Sequence, residues 1–397
     1  MCGINGAYNY SNSSKNIQSI VNTVNKIQFS RGPDDNGLWE SNCKKICFGH
    51  TRLSIIDLTK NAQQPFVSKD EKYIITFNGE IYNYKELKSE LIKKNIFFKS
   101  KSDTEVILES YKFWGLEFVK KLRGMFAFAI WDINKKKLIL ARDPFGIKPL
   151  YHSKKNGVYY FASQVKSLLS IDDISSDYSD AGIASFYLWG NLQEPFTLYK
   201  DIKSVPMGSC ITIDNSGNEK IYKYADIKNS ILNASPLNLK NEDDKKLYLA
   251  EAINETVNAH QVSDVPITLL LSSGTDSNVI LGSLNDNNKK NCSALTLNFN
   301  YQSEKDEVYL AKKSALLNKI HHDILEISEN EFSSLIEEFF VKMDMPTNDG
   351  FNNFLVSYLA KKNNSKIIMS GVGGDELFSG YPSFQIIPKI IRILKYI

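Results

Sequence analysis

Cys2 follows the initiator methionine, so removal of Met1 would leave one residue carrying both a thiol and a free α-amino group. A thiol near pKa ~8.5 can pass its proton to an amine near ~7.7–8.0 at neutral pH, which makes the N-terminus a candidate nucleophile and base in one residue. Cysteine is small enough for aminopeptidases to trim the methionine before it, and no separate histidine is needed. A second group lies late in the chain. The apolar run Val265–Leu271 ends in Ser272-Ser273-Gly274-Thr275-Asp276-Ser277 and passes straight into a helical pattern. Backbone N–H groups at that helix start and the hydroxyls of Ser272, Ser273, Thr275 and Ser277 can surround an anion, while Gly274 lets the backbone approach closely. Asp276 would repel phosphate and makes sense as a magnesium ligand. The run Lys366–Met369 ends in a second glycine-rich turn, Ser370-Gly371-Val372-Gly373-Gly374-Asp375. Two such loops at the carboxyl ends of parallel strands would meet in one crevice, with Asp276 and Asp375 sharing magnesium on one nucleotide. A plain helix cap and a solvated surface turn are the structural alternatives for the two loops. G-x4-G-K-[ST] is absent, as is G-x-G-x-x-G after a strand, which argues against kinase-like γ-phosphoryl transfer and dinucleotide binding.

The elements that must position these groups fall into two textures. Ile17, Ile20, Val21, Val24 and Ile27 recur at helical spacing and predict a helix that stops at the turn Arg31–Asp34. Strands are predicted at Lys72–Phe77, Met125–Trp131, Lys137–Ala141 and Val158–Phe161, with helices around Tyr84–Lys94 and Thr104–Phe113, a layered α+β pattern. A polar stretch weak in periodicity then predicts a linker over 216–245 between a first domain, 1–215, and a second, 246–397. The second alternates: helix Lys246–Val262, strand Pro266–Leu271, helix from Ser277, strand Ser293–Phe299, helix Asp306–Leu317, strand His322–Ile327, helices Glu331–Phe340 and Phe351–Lys362, and strand Lys366–Met369. That order predicts an α/β domain with a doubly wound parallel sheet.

Composition narrows the class without naming a partner. At 397 residues two domains are expected, and 48 Lys+Arg against 45 Asp+Glu leave a net charge of only +3, with no basic track for nucleic acid. The cysteines number 5, are scattered and form no C-x2-C pair, so neither a disulfide framework nor a zinc site is indicated and a reducing cytoplasm fits best. No stretch reaches ~18 uninterrupted apolar residues, and no secretory leader opens the chain. His321 and His322 are adjacent on a predicted strand, so they point to opposite faces and cannot share one ion.

Met1–Ile4, Arg31–Asp34, Gly49–Ile55, Phe77–Asn83, Ser102–Glu105, Arg123–Ala127, Ala141–Leu150 and Phe161–Ser163 resemble, in order, the class II glutamine amidotransferase domain. With the two late loops, the chain resembles the glutamine-hydrolysing asparagine synthetase family over essentially residues 1–385. The resemblance implies an N-terminal α/β/β/α domain of Ntn type and a C-terminal domain of the PP-loop ATP pyrophosphatase type. It makes Cys2 the nucleophile that releases ammonia from glutamine, Asn78 and Gly79 the oxyanion hole, and Arg52, Leu53, Ser54, Ile55, Ile56, Asn78, Gly79, Glu80 and Asp103 the glutamine site. Leu271 through Ser277, Leu297, Ser370 and Gly371 would bind ATP, Asp276 and Asp375 magnesium, and the ammonia would travel internally to an acyl-adenylate. Aspartate or a related carboxylate would be the acceptor. Departures from the pattern are Ser273 for a glycine, Val372 for an acidic residue, Met345 for a polar one and Gln164 for Glu. Because the family continues past the second loop, a truncated chain or half of a split synthetase is expected, completed by a homodimer or a partner chain. A glutaminase-only chain and an amidotransferase acting on a non-aspartate carboxylate of a surface-polysaccharide pathway stand as alternatives. The apolar segment Ile386–Ile397 predicts a helix that needs covering, with a membrane-surface tail as the competing reading.

Overall fold

The computed structural model describes residues 1–11, 13–239, 241–298 and 305–394. It divides into two units, one formed by Met1–Asn238 with Phe340–Gly350, the other by Leu239–Phe339 with Phe351–Ile397.

In chain order the first unit holds β1 (Gly3–Asn9), α1 (Ile17–Ile27), β2 (Asp35–Glu40), β3 (Ile46–Arg52), β4 (Phe66–Val67), β5 (Tyr73–Ile81), α2 (Tyr84–Ile92) and α3 (Asp103–Trp114). It continues with β6 (Gly124–Asp132), β7 (Lys137–Arg142), β8 (Tyr151–Lys155), β9 (Val158–Ala162), α4 (Val165–Leu169), α5 (Asp180–Trp189), β10 (Lys203–Ser204), β11 (Ser209–Ile213), β12 (Glu219–Lys223) and α6 (Ile227–Leu232). One sheet runs β10-β8-β9-β1-β3-β2, the other β12-β11-β7-β6-β5-β4, and every pairing between their strands is antiparallel. Alternate residues of the two sheets interdigitate: Ile4, Tyr8, Phe48 and Phe161 from the first meet Ile74, Ala129, Trp131 and Leu140 from the second in one buried cluster. The outer face of the first sheet is sealed by α1 and α4, whose Ile17, Val21, Val24, Val165 and Leu168 pack on Ala7, Cys47 and Tyr160. On the second sheet α3 packs against β5, with Tyr111 edge-on to Tyr73. The architecture is the layered α/β/β/α arrangement.

The segment expected to be a linker contains β12, which pairs with β11 from Ser209↔Lys223 to Ile213↔Glu219 and closes the edge of the second sheet. Its Glu219, Lys220 and Lys223 are exposed, and so the strand reads as polar coil in the sequence.

The second unit holds α7 (Glu242–Ala259), β13 (Ile267–Leu270), α8 (Thr275–Ser283), α9 (Asp286–Lys289), β14 (Cys292–Asn298), α10 (Lys305–Leu317), β15 (His321–Glu326), α11 (Glu329–Lys342), α12 (Gly350–Lys362), β16 (Ile367–Met369), α13 (Gly374–Phe378) and α14 (Ser383–Leu394). Its sheet, β15-β14-β13-β16, is parallel throughout, and the order reverses at β13, which has β14 on one side and β16 on the other. One face buries Leu269, Leu281, Ala294 and Ala311, the other Leu295, Leu335, Leu355 and Leu359. Phe299, the predicted end of β14, and residues 395–397 of the apolar tail lie outside the described residues. Along α14, Ile386, Ile387, Ile390 and Ile391 are exposed. No helix among the described residues is long and apolar enough to cross a membrane.

Candidate active sites

β1 and β3 are neighbours, so Cys2, one residue before β1, sits beside the chain leaving β3. The Leu53 N–H donates to Cys2 Sγ at 3.4 Å, and the thiol in turn reaches the Leu53 carbonyl at 3.6 Å. Arg31 Nε donates to the Cys2 carbonyl at 3.0 Å, tying the N-terminus to the turn after α1. Burial pushes the Cys2 thiol up, against the pull of the Leu53 N–H, the terminal ammonium and the Arg31 and Lys148 cations. The terminal amine, carried here by Met1, is held down at about 6, chiefly by burial.

Across the sandwich, β5 supplies three consecutive site residues because β6 presses against it. Asn78 is 1% exposed and its side-chain N–H2 has no hydrogen-bond partner among the described residues. A buried amide donor left unmade costs about 1–3 kcal/mol, so the position is built for an acceptor that arrives. A side chain on Gly79 would place its Cβ 2.2 Å from the Met125 carbonyl of β6, and only glycine fits. Glu80 is buried and raised to about 7, first by burial and also by the neighbouring Asp103, with Lys148 opposing. Asp103 opens α3 behind the cap Ser102; one of its oxygens accepts from Ile81 N–H at 3.1 Å, and burial raises it to about 6. Two adjacent buried acids make a seat for a cation.

Arg52 ends β3 and donates to the carbonyls of Asp57 at 2.5 Å and Thr59 at 3.3 Å, which leaves part of its planar fork uncommitted. Those bonds, with Asp57 in a left-handed conformation at φ 50° and its carboxylate accepting from Thr59 and Lys101, shape the loop through Leu53, Ser54, Ile55 and Ile56, all of them half-buried. Fork, acids and orphan amide can therefore receive a carboxylate, an ammonium and a carbonyl oxygen, the polar groups of a free amino-acid amide. His50 and His152 are both held down at about 4 by burial and bonded to Phe77 O and Tyr159 Oη, so they are neutral structural groups.

In the second unit, β13 and β16 pair from Ile267↔Ile367 to Leu269↔Met369, which brings the two glycine-rich loops together at the carboxyl ends. The first is knitted by Ser277, whose hydroxyl meets the Ser272 hydroxyl at 3.0 Å and the Gly274 carbonyl at 3.1 Å, while Asn278 Nδ2 donates to the carbonyls of Ser272 and Gly274. Ser273, Gly274 and Thr275 remain exposed at the start of α8. A Cβ on Gly371 would lie 2.7 Å from Asp276 Cβ, and one on Gly374 2.3 Å from Asp276 Oδ2, so the glycines of the second loop let it close on Asp276. Asp375 instead faces Gly380, where a Cβ would lie 1.8 Å from its Oδ1. The Leu271 side chain is buried in the core, so only its backbone faces the loop, whereas Leu297 and Ser370 are half-buried. Among the described residues no group of three or more His, Cys, Asp or Glu could cage a metal. Magnesium needs no cage: it is held by one or two carboxylates together with substrate phosphates, and the Asp276 carboxylate, free of hydrogen bonds among the described residues, fits that donor set, with Asp375 one residue beyond Gly374. His322 bonds Thr296 and His321 bonds Asp323, so the pair diverges as their strand positions require.

Sequence reasoning overlooked Lys148, which is 7% exposed beside Cys2 and Glu80. Its place in the run Ala141–Leu150 was visible, but nothing in the sequence shows where its side chain goes.

The family description "Glutamine amidotransferase domain" matches residues 1–225, and "Asparagine synthase" matches residues 248–393. Asparagine synthetase [glutamine-hydrolyzing] 1 of Bacillus subtilis is 36% identical over 97% of this chain and 60% of its own length. A putative asparagine synthetase of Methanocaldococcus jannaschii is 30% identical over 99% of this chain and 80% of its own, and Amidase chry2 of Gibberella zeae is 27% identical over 94% and 56%. The chain thus spans about three fifths of the length of the Bacillus subtilis relative. Two matched domains in this order, each with its loops where the fold requires them, make the chain a member of the glutamine-hydrolysing asparagine synthetase family.

Proposed function

We propose that this chain, once Met1 is removed, splits glutamine at Cys2 and uses the ammonia in an ATP-dependent amide synthesis at the Ser272–Ser277 and Ser370–Asp375 loops. The observation that carries the reading is the orphaned side-chain donor of Asn78, buried in the same site as the Cys2 thiol and the acid pair Glu80 and Asp103. Sγ forms a bond to the amide carbon while the thiol proton moves to the α-amine of Cys2. The oxyanion is met by Asn78 Nδ2–H and the Gly79 N–H. The C–N bond then breaks as the amine's proton passes to the leaving nitrogen, giving ammonia and a thioester that water opens to glutamate. Arg52 takes the substrate carboxylate, with Leu53 to Ile56 as the rim, and Glu80 and Asp103 take its ammonium.

At the second site an oxygen of the acceptor carboxylate attacks the α-phosphorus of ATP and expels pyrophosphate. Ammonia then attacks the acyl-adenylate carbon and expels AMP. The Ser272–Ser277 cradle holds the departing pyrophosphate, and Leu271, Leu297, Ser370 and Gly371 line the nucleotide site. Asp276 and Asp375 would hold magnesium, which would neutralise charge on the phosphates. Aspartate is the first acceptor to test. Val372, 84% exposed at the turn where the family pattern has an acid, favours a second reading in which another carboxylate is amidated. Processed protein should release glutamate from glutamine, and Cys2→Ala should lose that release. AMP and pyrophosphate formation with ammonia and a panel of carboxylates identifies the acceptor, and no product with any of them would refute the synthetase half.

A further inference from the structure

The run Arg142–Leu150 is braced by two buried charged side chains, yet none of its residues enters the chemistry above. Asp143, fully buried, accepts N–H bonds from Phe126 at 3.2 Å, Phe145 at 3.0 Å, Ile147 at 3.0 Å and Lys148 at 2.9 Å. Arg142 binds the carbonyls of Lys148 at 2.9 Å, Gly146 at 2.7 Å and Val205 at 3.0 Å and pairs with Glu194. A loop fixed from both sides presents one side chain to the pocket. The Lys148 ammonium is buried, and among the described residues it has neither a hydrogen bond nor an ion pair. Glu80 is 6% exposed and its carboxylate is likewise unbonded among the described residues. The two charges attract without touching.

Resting on the glutaminase reading, we infer that Lys148 is a positioning residue that opposes protonation of Glu80 before substrate binds, so that Glu80 can seat the α-ammonium of a zwitterionic amino acid. The other charged groups facing the pair are Asp103 from α3, Arg31 from the turn after α1, Asp143 from the same loop, Tyr82 after β5, and the thiol and amine at the N-terminus. Asp103 pushes Glu80 toward its neutral form, and a buried ammonium is what can outweigh it. When glutamine binds, its ammonium takes over that task at short range. An unbonded cation suits this role, since a direct ion pair would occupy the carboxylate and compete with the substrate.

The test is binding of L-glutamine, by titration calorimetry across pH, to the full chain carrying Cys2→Ala, so that no turnover intervenes. In that parent, affinity should fall on acidification with a midpoint near 7, where Glu80 takes its proton. Adding Lys148→Met should move the midpoint up by about 1 pH unit and weaken binding at pH 7 about fivefold. Lys148→Arg should leave the midpoint in place. In a Glu80→Gln background Lys148→Met should move nothing, which separates this role from a general loosening of the loop. If Lys148→Met fails to fold, Lys148→Gln gives the same reading. An unmoved midpoint in a parent that binds glutamine overturns the role of Lys148 alone, whereas a parent that binds no glutamine, with an unmutated chain that releases no glutamate, overturns the glutaminase reading and this role with it.

Discussion

At the residue scale, the groups proposed to contact substrate could be named from type and order, while their environment could not. Cys2 is conspicuous because of its position, and Asn78-Gly79-Glu80 because they form a run. That the Asn78 side-chain N–H2 lacks a partner among the described residues, and that Glu80 and Asp103 sit together out of water, follows only from β5 pairing with β6 and packing against α3. Asn78→Ala removes one oxyanion donor and should lower kcat for glutamate release by about 10²–10³-fold with little change in KM, since the bond tightens only as charge develops. Steady-state glutaminase kinetics at saturating and limiting glutamine separate the two. The pH dependence follows from the same surroundings. On the proposed reading, Glu80 gains a proton below about 7 and ceases to seat the ammonium. The rate at limiting glutamine should therefore fall on acidification through about 7 with a slope of one proton.

At the element scale, helices with a clear apolar stripe and strands rich in β-formers, such as β6, β7, β9 and β13, were legible, while strands without such a signal were not. α1 runs over the predicted Ile17–Ile27 because its stripe meets the first sheet and Asn16 caps it, accepting from Ser19 N–H at 3.0 Å. β1 passed unseen since Gly3-Ile4-Asn5-Gly6-Ala7-Tyr8-Asn9 is poor in β-formers and carries no alternation, being buried on both faces. Its Gly6 answers to packing: a Cβ there would lie 2.5 Å from the Phe161 ring. The short α4 holds a less visible dependence. Its cap residue Gln164 makes no side-chain cap bond, and the free N–H groups of Val165 and Lys166 are met instead by the Asp344 carboxylate at 2.8 and 2.9 Å. Asp344→Ala should cost about 1 kcal/mol, as loss of a helix cap does, read as a lower midpoint in urea denaturation, whereas Asp344→Asn, which keeps one acceptor oxygen, should recover part of it.

At the scale of the whole molecule, the change from clustered strands to strict alternation announced two units, but the sequence could not show that Phe340–Gly350 returns to the first, with Met345 packed beside the α1 cluster. Asp344 meets Val165 from 179 residues away in sequence, and so distant a contact leaves no local pattern; only Met345, half-buried where a polar residue is usual, hints at it. The two units have separate cores, and the proposed function gives them separate chemistries, one built on a thiol and the other on a phosphate cradle. If ammonia is the sole currency between them, the nitrogen source can be exchanged without repairing the thiol. Cys2→Ala supplied with an ammonium salt should therefore form pyrophosphate at the unmutated chain's ammonia-dependent rate, while giving none from glutamine. Asp276→Asn should abolish pyrophosphate from either source, because it removes charge from the carboxylate that Gly371 and Gly374 let the second loop close upon. Pyrophosphate release measured for both variants with both nitrogen sources fills the four cells of the comparison, and loss of ammonia-dependent synthesis in Cys2→Ala would show that the thiol site is needed for more than supplying ammonia.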